Sequence, residues 1–116
     1  MTREFIITHE FDKRWAQLGL NDDDLFELEN FLCEHPEAGP VVQGTGGLRK
    51  LRWYSKNRGK SGGLRVVYVD FAFYEKIYLI SAYPKSIKDD LSNEECNEIK
   101  KLIKSLEQEA KGSDKT

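Results

Sequence analysis

The sequence predicts an α+β domain, with helices packed on a mostly antiparallel sheet. Three observations predict it. Hydrophobic patterns follow the order strand, two helices, three strands, helix. The connections among the three central strands are short enough for an antiparallel meander. The 116 residues, 39% hydrophobic and 33% charged, suit one globular domain and not a disordered chain.

Each element has its own signal. Glu4 to Thr8 reads as a short strand, with the β-prone Phe5-Ile6-Ile7 between polar residues. Phe11, Trp15 and Leu18 then mark one face of a short helix that Gly19 can end. Asn21 or Asp22 caps a second helix with an acidic first turn. Its apolar stripe is Leu25, Leu28, Phe31 and Leu32, and His35-Pro36 stops it. Gly44-Thr45-Gly46-Gly47 is a turn, followed by strands over 48–54, 64–73 and 77–83. Ser92-Asn93-Glu94-Glu95 is a capping box. The helix it opens carries Cys96, Ile99, Leu102 or Ile103, and Leu106 on its apolar line. Residues 1–110 are expected to form the one domain, and 111–116 a frayed tail.

Composition excludes several classes. No apolar run reaches membrane-spanning length, and the start lacks the pattern of an export signal, so the cytoplasm is the expected compartment. Cys33 and Cys96 have no second Cys or His pair at ligand spacing, which favours two plain thiols over a metal site or a disulfide. No cofactor or metal is expected. Gly59-Lys60-Ser61 is not a phosphate loop, because Tyr54 stands where the first glycine belongs. His9 and His35 both lie in the acidic first third, which argues against a two-histidine ribonuclease.

Charge is the informative quantity once divided. Residues 1–42 hold 3 Lys/Arg against 10 Asp/Glu, residues 43–88 hold 10 against 2, and residues 89–116 hold 5 against 8. A middle at +8 inside a chain at −2 is a footprint for a polyanion, since local field and not total charge draws one. The bland reading is a solvated basic face. In Leu48-Arg49-Lys50-Leu51-Arg52-Trp53-Tyr54, strand alternation puts Leu51 and Trp53 on one face and Lys50 and Arg52 on the other. Arg65, Tyr83 and Lys85 are placed to join that cation pair. Arg49, Lys56, Arg58, Lys60 and Lys88 are further candidates for RNA contact. Trp53, Phe71 and Phe73 read as core, whereas Tyr54 and Tyr83 are also candidate base-stacking platforms.

Three blocks, Gln43-Gly44-Thr45-Gly46-Gly47-Leu48-Arg49-Lys50-Leu51-Arg52, Gly62-Gly63-Leu64-Arg65-Val66-Val67-Tyr68 and Ile80-Ser81-Ala82-Tyr83-Pro84-Lys85, resemble the RelE/HigB family of bacterial toxins. The resemblance runs from about Gln43 to Leu91. It implies a compact RelE-like fold with an N-terminal strand and α-hairpin, an antiparallel sheet and a C-terminal helix. It implies a type II toxin–antitoxin system with a cognate antitoxin, expected to be a helix-turn-helix protein. It also implies metal-independent cleavage of mRNA on the ribosome, with Lys50, Arg52, Arg65, Tyr83 and Lys85 as the site residues. The chain departs from many such toxins in being slightly acidic overall. Two other readings stand beside it: a ParE-like toxin that binds DNA gyrase without cutting RNA, and an RNA- or ribosome-binding module without catalysis.

Overall fold

Four strands, three α-helices and a short 3₁₀ turn form in the computed structural model, which describes residues 2–54, 63–87 and 90–113. In chain order they are β1 (Glu4–Ile7), α1 (His9–Gln17), α2 (Asp22–Glu34), β2 (Arg49–Tyr54), β3 (Gly63–Phe71), β4 (Lys76–Pro84) and α3 (Asn93–Ser113). The sheet order is β1-β4-β3-β2. β2, β3 and β4 are the expected antiparallel meander, and β1 adds to β4 in parallel.

Capping chemistry sets the helix starts. The Thr8 hydroxyl accepts from Phe11 N at 3.1 Å and opens α1. Asn21 and Asp24 form a reciprocal box at α2, which buries Asp24. Ser92 and Glu95 form the expected box at α3, with bonds of 3.1 and 3.0 Å. α3 continues through Ser113, past the Glu109 where helix was expected to end.

The molecule has three layers. On one sheet face Leu51, Trp53, Leu64, Val66, Tyr68, Ile77, Leu79 and Ala82 pack against Phe11, Trp15, Leu28 and Leu32 of the α-hairpin. On the other, Leu48, Val67, Val69, Phe71 and Tyr78 pack against Ile103 and Ala110 of α3. The second face is therefore not left wholly to the cations, because α3 covers part of it. Ile103 is the buried member of the expected helix stripe, and Leu102 is exposed. Phe73 is also not core. It lies in the 3₁₀ turn between β3 and β4 and is 90% exposed, because that turn carries its ring beyond the end of the sheet.

One irregularity has a large effect. Tyr68 pairs with Leu79, yet Val67 pairs with Ser81, so Ile80 is an extra residue in β4. Without that bulge, Arg65 would face Ala82, and Tyr83 would point into the α-hairpin core. The extra residue flips the remainder of β4 by one position. The core records the flip: Ile77 and Leu79 are followed on the α-hairpin face by Ala82, while Tyr78 and Ile80 are followed on the α3 face by Tyr83. Thr8 braces the bulge. Its hydroxyl lies 3.0 Å from Leu79 O and 2.9 Å from Ile80 O, and its N–H donates to Leu79 O.

Candidate nucleic-acid interface and active site

Strand register assembles the site. Arg52 of β2 lies directly opposite Arg65 of β3, which lies directly opposite Tyr83 of β4. Directly opposed residues share a face, with Cβ atoms about 5 Å apart. The three side chains thus form one row across three strands. Lys50 stands one row inward, opposite Val67. Lys85 stands one row outward, its N–H donating to Gly63 O at 3.1 Å. Tyr54 shares that outer row through its pairing with Gly63, and is 57% exposed. Lys50, Arg65 and Tyr83 are half-buried, while Arg52 and Lys85 are exposed.

Glycine shapes the outer row. A Cβ on Gly63 would meet Lys85 Cδ at 2.8 Å and Tyr54 Cε1 at 3.3 Å. The absent side chain lets the lysine stem and the tyrosine ring close over the strand. At the β2 edge, Pro40 to Val42 pairs with the start of the strand: Val42 N donates to Leu48 O at 2.7 Å and Lys50 N to Pro40 O at 3.1 Å. This strap, Lys50, Arg52 and Arg65 line a groove of about 720 Å³.

Not all the expected cations join the row. Arg49 points to the other face. Its Nη1 donates to Gly39 O at 2.8 Å and to Glu37 O at 3.3 Å, so it holds the loop behind the strap. Tyr68, fully buried, ties the same loop by donating to Pro36 O and accepting from Gly39 N. Lys76 is buried at the far end of β4, 4.0 Å from Glu4. Lys56, Arg58, Lys60 and Lys88 lie outside the described residues. Lys50, Arg52, Arg65 and Lys85 remain as the cations brought together.

The acidic groups of the basic stretch are held away from the row. Asp70 is five residues from Arg65 along β3, about 17 Å away. A two-pronged bond to the Arg3 guanidinium (2.8 and 3.3 Å) holds it, and the carboxylate in turn raises the basicity of Arg3. Glu75 lies in the turn beyond it. Both acids of the stretch thus sit at the opposite end of the sheet from Tyr83 and Lys85. Sequence counting gave the charge imbalance of this stretch but could not show that it is polarised along β3.

The fold and the row define a small sheet-based domain with a cationic, tyrosine-containing face. A family model described as the RelE toxin of the RelE/RelB toxin–antitoxin system matches residues 6–113. The chain belongs to the RelE toxin family. Among solved structures, it is similar to the free-state structure of an arginine-to-alanine double mutant of the Escherichia coli toxin RelE. That match has a TM-score of 0.52 and 18% identity, covering 74% of this chain and 86% of the other. At that identity the likeness bears on the fold.

Proposed function

We propose that this toxin is a metal-independent, ribosome-dependent mRNA endoribonuclease that blocks translation. The observation that carries the reading is the Arg52–Arg65–Tyr83 row, with a lysine in the next row on either side. In the proposed reaction the 2′-oxygen of a ribose bonds to the adjacent phosphorus and the bond to the 5′-oxygen breaks. One group takes the 2′-proton, another protonates the departing 5′-oxygen, and a 2′,3′-cyclic phosphate remains. Arg52 and Arg65 hold the phosphoryl oxygens as negative charge builds.

The row geometry suits the two proton transfers. Lys50 and Lys85 stand about 7 Å to either side of the row along the strands. Attacking and leaving oxygens lie on opposite sides of phosphorus, so one lysine serves each, with Tyr83 as base or stacking platform. The ribosome supplies substrate orientation, a large part of the barrier reduction. A cognate antitoxin, proposed to be a helix-turn-helix protein, silences the toxin in the cytoplasm.

Growth arrest on induction tests the reading. Arg65→Ala and Tyr83→Phe are expected to relieve arrest while circular dichroism and melting remain native. Full toxicity in both folded variants would remove this site from consideration.

A further inference from the structure

Beside the cation row is a second concavity, between the sheet and the start of α3. Leu48, Lys50, Val67 and Tyr83 form its floor, and Ile87, Leu91 and Ile99 are among its walls. It holds about 240 Å³, below the usual range for a drug-sized ligand. Lys50 and Tyr83 belong both to this groove and to the site around the row. The other lining side chains are aliphatic.

We propose that this groove is a base pocket. It seats one unpaired nucleobase of a nucleotide adjoining the phosphate held by Arg52 and Arg65. The inference rests on the RNA-cleaving reading of the row and assigns that site a subsite. Three features point to a base. Lys50 lines the groove and the Arg52–Arg65 row runs beside it, and these cations draw a polyanion, so the apolar solute delivered to the groove is part of a nucleotide. Val67 lies one row inward from Arg65, about 7 Å along the strand, a separation that a ribose bridges between its phosphate and its base. A volume of about 240 Å³ lined by Tyr83 and aliphatic side chains has room for one nucleobase, which must already be out of its stack. Preference among bases then comes from ring size and from Lys50 in the lining, which favours bases with an acceptor within its reach.

Methyl NMR tests this on the whole chain at millimolar ligand. One probe is an uncleavable dinucleotide with a 2′-O-methyl at the attacking position. The other is the same phosphodiester with that nucleoside abasic, and the same pair is repeated with the second nucleoside abasic. Both kinds are expected to shift the Arg52 and Arg65 side-chain signals. The base-bearing probe, and only one of the two abasic forms, should shift the methyls of Ile87, Leu91 and Ile99. Ile99→Phe should weaken the base-bearing probe about tenfold, in line with the loss of one stacked base, and leave binding of the abasic form that lacks the seated base unchanged. Ile87→Ala, at a side chain 55% exposed and outside the core, should weaken it in the same direction.

Guanidinium shifts without methyl shifts, or equal affinity for the base-bearing probe and both abasic forms, would overturn the pocket and leave the row standing. Absence of both sets of shifts would overturn the row and the pocket together. If Ile87→Ala abolished only neutralisation by the antitoxin and left the dinucleotide untouched, the groove would be an anchor for a protein side chain and the proposal would fail.

Discussion

Gly63 and Thr8 show how single residues without reactive groups control the site. An alanine at position 63 would push on Lys85 Cδ, the middle of a flexible stem, so the strand can tolerate it. Gly63→Ala is expected to melt within a few degrees of the parent. Its cleavage should slow by on the order of 10- to 100-fold, as for a displaced catalytic group, with little change in RNA affinity. Single-turnover kinetics beside a thermal melt separate the two effects. Thr8 acts through the bulge. Thr8→Val removes the cap of α1 and should cost about 1 kcal/mol in urea unfolding. It also removes the contacts to the Leu79 and Ile80 carbonyls, so the Tyr83 ring signals should move in NMR spectra although Tyr83 is far away in sequence. Neither role was legible beforehand. Thr8 reads as a strand end, and Gly63 reads as the end of the loop between the strands expected over 48–54 and 64–73. A glycine at the head of a strand does signal close approach, but not what approaches.

At the level of elements, the sequence yielded the order and the caps of α2 and α3 but not the register. Alternation in β2 correctly put Lys50 and Arg52 on one face, because that strand is regular. β4 is not regular, and its apolar run Ile77-Tyr78-Leu79-Ile80 hides where the extra residue falls. Only pairing with β3 reveals that Tyr83 faces Arg65. The parallel pairing of β1 and the burial of the α3 face were hidden for the same reason, since each depends on a distant partner. α3 is held to the sheet partly through Tyr78, which is 2% exposed. Burial, and then a hydrogen bond to Glu109, push its phenol from 10.0 up to about 12. A folded value above the unfolded one means that the stability is fully present below pH 10 and is lost as pH rises through 12. Urea midpoints measured across that window should fall for the parent chain, and fall less steeply for Tyr78→Phe.

The whole molecule separates its charges. Acidic groups crowd α2, which carries six and no Lys or Arg, while Lys50, Arg52, Arg65 and Lys85 gather at one end of the sheet. RNA affinity should therefore drop steeply with salt despite a net charge of −2, and each of Arg52→Ala and Arg65→Ala should reduce the salt slope by about 0.7. Fluorescence anisotropy over a salt series measures this. The central claim, that the Arg52–Arg65–Tyr83 row cuts mRNA on the ribosome, is tested most directly by mapping RNA ends after brief expression. The account predicts clustered cuts within reading frames, each leaving a 2′,3′-cyclic phosphate, and their loss in folded Arg52→Ala and Arg65→Ala variants. Growth arrest by the parent chain with intact messages, or cuts that persist unchanged in both variants, would contradict it.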